Sequence, residues 1–193
     1  MKKKLPIYLM LLLQFCLYGQ TEEIFSKFPF KGLPDCISYA EKDSDSLNQL
    51  KNYAGVDSLM LSPELVKKLL IPKKSSFGKG MNKSLNSEYF ALNLIAKEKK
   101  YYVLTYERII DEVYENAETY LCTLSKKGKC ISSVLIASSI YSGTGSLDDG
   151  GRFPYYEQSE SCIEKNLTII VSFPSKGEKK KYQIKNNGEI VEL

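Results

Sequence analysis

Apolar positions change their period twice along this 193-residue chain, and each change marks a different kind of segment. Residues 6–17 form a nearly continuous apolar run broken only by Gln14. Leu65, Val66, Leu69 and Leu70 then make a stripe at helical spacing, opened by Ser62-Pro63-Glu64 and closed by Pro72. Ser62 suits an N-cap, Pro63 the first helical position, and Glu64 the positive end of the helix dipole. A shorter helix is expected within 43–54, with Leu47 and Leu50 on one side and Gly55 as its stop. Residues 73–88 are rich in Lys, Ser, Gly and Asn and predict a linker.

From Tyr89 onward the apolar positions alternate, the period of a half-buried strand. Phe90, Leu92 and Leu94 alternate, as do Tyr102, Leu104 and Tyr106. Further strands are expected at 120–124, 131–136, 155–163 and 167–173, the last with Leu167, Ile169, Val171 and Phe173 on one face. A three-residue turn Lys126-Lys127-Gly128 would pair Ser125 with Lys129. Asn187-Gly188 predicts a type I′ hairpin pairing Ile184 with Val191 and Tyr182 with Leu193. Connections this short exclude βαβ crossovers. The expected fold is mainly β (α+β): an antiparallel meander sheet or open barrel of about eight strands with a short N-terminal helical segment. The expected division is a signal peptide over 1–19, an arm with short helices and a polar linker over 20–88, and an antiparallel β domain over 89–193.

Composition adds an address. Met1-Lys2-Lys3-Lys4, the apolar run and the Leu17-Tyr18-Gly19 triplet follow the order of a secretory signal peptide. The run is shorter than the roughly 20 apolar residues of a bilayer-spanning helix. Export to the periplasm or the extracellular space is therefore expected, with no transmembrane span in the mature chain. Lipid anchoring at Cys16 is the lesser alternative: Leu13 suits a lipobox, but bulky Phe15 stands where a small residue belongs. Three of the 27 Lys and Arg lie in the signal and none of the 23 Asp and Glu do, leaving 24 against 23. A mature chain of net charge +1 offers no field for nucleic acid.

The chain has no His, which removes His-relayed nucleophile activation and His-ligated zinc. Neither a metal nor a cofactor is expected. Cys36, Cys122, Cys130 and Cys162 survive processing and are candidates for two disulfides, as an even count in an exported chain permits. Cys122 and Cys130 flank one hairpin on the same face but diagonally offset, a long reach for a bridge. Buried free thiols are an equal alternative.

The segment from Tyr141 to Pro154 (YSGTGSLDDGGRFP) is expected as the one long connection within the sheet, a place where function concentrates. Asp148 and Asp149 offer oxygen ligands there and Arg152 an anion partner, but the spacing matches neither a calcium loop nor a phosphate loop. Tyr141, Tyr155 and Tyr156 belong to a group of tyrosines that includes Tyr101, Tyr102, Tyr106, Tyr114 and Tyr120. Such rings suit half-buried strands and binding surfaces alike. Tyr141, Asp148, Asp149, Arg152, Tyr155 and Tyr156 are thus the candidate ligand-binding residues, with no catalytic residue assigned. Asp111, Glu112, Glu115 and Glu118 read as solvated loop acids.

The Tyr18-Gly19-Gln20 end of the signal and the hairpin from Thr119 through Gly128 to Ser133 resemble uncharacterised exported β-rich proteins of Bacteroidota. That resemblance implies a periplasmic or surface location and carries over no catalytic residue. The expected role is a non-enzymatic binding or accessory domain whose partner is a protein or small ligand of the cell envelope. The alternatives are a carboxylate-dependent glycan hydrolase using Asp148 or Asp149, and a structural component of the envelope. Intact mass of the native protein should show a mature chain beginning at Gln20; a diacylated or triacylated Cys16 would place it at the membrane surface instead.

Overall fold

The computed structural model describes residues 25–39, 60–62, 64–66, 70, 87–110, 116–146 and 151–193. The expected signal segment, the expected 43–54 helix, residues 73–86 of the expected 73–88 linker, Cys16, Asp148 and Asp149 lie outside the described residues, and Ser87 and Glu88, expected as the end of that linker, open a strand instead.

Among the described residues there are ten strands: β1 (Asp35–Ile37), β2 (Met60–Leu61), β3 (Ser87–Lys97), β4 (Tyr101–Ile110) and β5 (Asn116–Ser125), followed by β6 (Cys130–Ser146), β7 (Arg152–Ile163), β8 (Thr168–Phe173), β9 (Glu178–Ile184) and β10 (Ile190–Glu192). They form an open antiparallel meander in the order β10-β9-β8-β7-β6-β5-β4-β3-β2, with β1 paired to β7 off this path. The protein is mainly β, and two of its strands come from the 20–88 segment. Residues 64–66 are helical, the Ser62 hydroxyl accepts the Leu65 N–H (3.2 Å) and the Val66 carbonyl accepts the Leu70 N–H (2.9 Å), while residues 63, 67–69 and 71 lie outside the described residues.

Strands β4 and β5 are buried on both faces, since every residue of 103–109 and 119–124 is buried. Their even-numbered residues Leu104, Tyr106, Tyr120, Cys122 and Leu124 pack with Phe28, Leu61, Val66 and Leu70 from the N-terminal segment. Their odd-numbered residues Val103 and Leu121, with Ile95 and Ile136, pack with Ile163, Ile169, Val171 and Ile184 of β7, β8 and β9. The strand period of two thus sends one chain into two cores.

Strand β7 joins the two layers. Its residues 152–159 pair with β6, whereas its residues 160–163 pair with β8. Strand β1 takes over the side that β6 vacates, matching Asp35, Cys36 and Ile37 with Ile163, Cys162 and Ser161. The Cys36–Cys162 disulfide locks this junction across 126 residues of sequence. Such a bridge restricts the unfolded chain most when its loop is long.

Two expectations need correction. The segment after Tyr141 is not a loop, because β6 continues to Ser146 and pairs Gly145 with Phe153 and Ser146 with Arg152. Its glycines sit in a strand with a bulge between Tyr141 and Gly143, which absorbs their lack of side chains. The last hairpin is shifted by one residue: Ile184 pairs with Ile190 and Tyr182 with Glu192. Its loop has three residues, with the Lys185 N–H donating to the Glu189 carbonyl and Gly188 at φ +89°. Asn187 is not at positive φ, and its side chain accepts the Glu189 N–H instead. The same kind of turn closes β5–β6, where Ser125 bonds Lys129 around Gly128 as the spacing predicts.

Gly188 has a tertiary duty as well. Its carbonyl accepts the Thr123 hydroxyl (2.6 Å), pinning the β9–β10 turn onto β5. A Cβ at this position would stand 2.8 Å from Ile131 Cδ1 and 3.1 Å from the Tyr101 ring. Gly188→Ala should therefore cost about 1–3 kcal/mol in denaturant unfolding, from positive-φ strain plus overpacking.

Candidate functional site

A cleft of about 330 Å³ opens where β7 changes partners. Tyr155, Tyr156, Gln158, Ser159 and Glu160 of β7 form one side, Ser38 and Tyr39 follow β1, and Pro174 and Ser175 come from the β8–β9 turn. The Cys36–Cys162 disulfide explains the meeting, because Tyr39 lies three residues beyond Cys36. Hydrogen bonds complete it: Ser38 Oγ donates to Glu160 Oε2 (3.2 Å) and Gln158 Nε2 donates to the Tyr39 carbonyl (3.4 Å).

Tyr39 forms the base of the cleft and is almost wholly buried. Its hydroxyl donates to Glu107 Oε1, and Thr119 Oγ1, 2.7 Å away, donates in turn to the Tyr39 oxygen. Glu107 is itself fully buried, and its Oε2 lacks a hydrogen-bond partner among the described residues. Burial first, and then the Glu107 carboxylate, hold the Tyr39 phenol well above its ordinary value. The hydroxyl therefore stays protonated and serves as a fixed donor to Glu107.

The sequence-derived candidates distribute unevenly around this cleft. Tyr155 and Tyr156 line it, with Tyr155 49% exposed. Tyr141 stands one strand away on β6, edge-on to the Tyr156 ring at 6.0 Å between centroids, and its hydroxyl lies 2.7 Å from Thr144 Oγ1. Arg152 starts β7 as an exposed side chain opposite Ser146 and is not among the lining residues. Sequence reasoning missed Ser38, Tyr39, Gln158, Ser159, Glu160, Pro174 and Ser175. No motif marks them, and the available signal was Tyr39 lying so near a cysteine.

The remaining cysteines and acids belong elsewhere. Cys122 and Cys130 are free thiols, and Cys130 Sγ lies 3.1 Å from the Leu70 carbonyl. Burial, and then neighbouring Cys130, push the Cys122 thiol up, so it packs as a small apolar group. Glu118 is not a loop acid: its Oε2 pairs with Arg108 Nη1 (3.1 Å) and accepts the Tyr120 hydroxyl (2.8 Å). Burial, and then Glu118, raise the Tyr120 phenol. Among the described residues no group of three or more His, Cys, Asp or Glu could hold a metal ion, and no helix is long and apolar enough to cross a membrane.

The cleft can therefore present aromatic faces, hydroxyls, an amide and one carboxylate to a ligand. With no His in the chain, no imidazole can take a proton from Ser38. Comparison with protein-family models, curated proteins and solved structures found no match.

The buried phenols tie stability to pH. Tyr39, Tyr106 and Tyr120 are all raised in the folded state, chiefly by burial. Their contribution is fully present below the unfolded phenol value of about 10 and is lost as pH rises beyond it toward the folded values. Denaturant unfolding should show stability falling as pH rises above about 10. Tyr39→Phe should cost about 1–3 kcal/mol at neutral pH by unpairing Glu107, and should flatten that alkaline decline.

Proposed function

We propose that the chain is an exported, non-enzymatic binding domain of the cell envelope, and that its ligand sits in the cleft beside β7. The observation that carries this reading is the convergence of Tyr39, Tyr155 and Tyr156 with Gln158 and Glu160 around one opening. Aromatic faces with a few placed polar groups are the usual makeup of a ligand site. Half-exposed Tyr155 is an interaction surface held on a rigid strand. Its neighbours are already fixed by hydrogen bonds, so little ordering is needed when a ligand arrives.

Export is supported by two features of different kind. The chain opens with the charge and apolar order of a signal peptide. It also closes a disulfide between segments far apart in sequence, a bond that persists in oxidising compartments. The hydrolase alternative needs two carboxylates facing one sugar bond. Among the described lining residues Glu160 is the one acid, and it already accepts the Ser38 hydroxyl.

The mature protein and its Tyr155→Ala variant can be compared on peptide and glycan arrays. A class of probe whose binding falls about tenfold in the variant, with an unchanged melting temperature, is the expected result. Binding that survives the substitution intact would remove the cleft from consideration.

A further inference from the structure

The disulfide that assembles the cleft lies on the surface of the protein. Cys36 and Cys162 are both exposed, whereas Ser161 and Ile163 on either side of Cys162 are buried. The strand period of two thus turns the cysteine outward while its neighbours face the core. Cys36 stands directly opposite Cys162 in the β1–β7 register, so the two side chains share that outer face. A dissolved thiolate can reach the bond, and exposed disulfides are the labile ones.

What the bond holds in place is local. Strand β1 has three residues and pairs with β7 off the path that joins the other strands, so its departure breaks no other ladder. The chain before it is anchored independently. Phe28 sits in the core, the Lys31 N–H donates to the Leu94 carbonyl (3.2 Å), and the Leu94 N–H donates to the Pro29 carbonyl (2.8 Å). Ser38 and Tyr39 follow Cys36 directly after Ile37 and supply a wall and the base of the cleft. Their bonds to Glu160, Gln158 and Glu107 all run from this short segment to strands distant in sequence. Short cooperative units of this kind can open without global unfolding.

We infer that the Cys36–Cys162 disulfide is a redox gate: a dithiol reductant cleaves it, residues 35–39 leave β7, and the cleft loses its wall and base. This is regulation of the proposed binding site and rests on that reading. The chemistry is thiol–disulfide exchange. One reductant thiolate attacks a cysteine sulfur, breaking the S–S bond and forming a mixed disulfide while the other cysteine leaves as thiolate. The second reductant thiolate then attacks the reductant sulfur of that mixed disulfide, closing the reductant's own disulfide and freeing the remaining cysteine. Two electrons pass to the protein, and its two thiolates take up the two protons given up by the reductant. Oxidised, the protein keeps Tyr39 on Glu107; reduced, it admits water there.

The test treats the disulfide-bonded mature protein with dithiothreitol under native conditions, followed by iodoacetamide, beside protein alkylated without reductant. Peptide mapping should place the new alkylation on Cys36 and Cys162. Ultraviolet titration of tyrosinate should show one more phenol ionising near the ordinary value of about 10, with the strand signal in circular dichroism retained. Tyr106 and Tyr120, buried in β4 and β5, should not join it. Tyr39→Phe should abolish the extra phenol. Cys36→Ser combined with Cys162→Ser should reproduce it without reductant, which separates release from any effect of the alkyl groups. A probe that binds through Tyr155 should lose about tenfold in affinity on reduction. Resistance of the bond to dithiothreitol in the folded protein would overturn the inference. So would reduction that leaves the phenol count unchanged, or reduction that unfolds the whole chain and frees every phenol together. A Tyr155-dependent probe indifferent to reduction would overturn the gate alone. Release of Tyr39 with no Tyr155-dependent probe would overturn the binding role and the gate with it.

Discussion

Burial of β4 and β5 on both faces is the constraint from which the rest of the architecture follows. A meander with one wet face can stand as a single sheet, but Leu104 and Leu121 point in opposite directions and neither meets water. Each fully buried aliphatic side chain contributes about 1.5–3 kcal/mol, so leaving either face uncovered would forfeit much of the core. Two covers are required. The N-terminal segment supplies one through Phe28, Leu61, Val66 and Leu70, and the C-terminal hairpins supply the other.

The second cover explains the odd behaviour of β7. A chain that continued the meander flat would add strands beside β6 and leave the odd-numbered face of β4 and β5 exposed. Instead, β6 and β7 extend together as a long pair, after which β7 continues into a new layer with β8 and β1. Among the described strands, β8 joins β7 only from Glu160 onward. The cleft is a product of this change of partners.

The base of the cleft shows how the fold tolerates charge inside it. Glu107 sits on the odd-numbered face of β4, where a carboxylate would be costly without a partner. Tyr39 reaches it because the disulfide holds the chain just before that residue. Arg108 and Glu118 solve the same problem on the opposite face by pairing with each other and with Tyr120. Both arrangements keep a phenol protonated, Tyr39 on one face and Tyr120 on the other.

Local chemistry was enough for the strands from β3 onward, because a period of two and glycine-bearing turns act within a few residues. Gly128 placed the β5–β6 turn correctly. Gly188 marked its turn but not the register, since a two-residue and a three-residue loop both end on Gly and differ by one residue in every pair. That choice was made by packing, which puts Ile184 and Ile190 against the core and leaves Leu193 65% exposed. The glycines after Tyr141 read as a loop because nothing in their own side chains records the partner strand that holds them. Tyr155 and Tyr156 were legible as candidates, whereas Ser38, Gln158 and Glu160 were not. The sequence by itself determined strand content, the antiparallel class and the supply of cysteines, all set by neighbours in the chain. Which cysteines pair, where β7 changes layers and which residues share the cleft were decided by tertiary structure, because each joins groups more than a hundred residues apart through burial that no local pattern encodes.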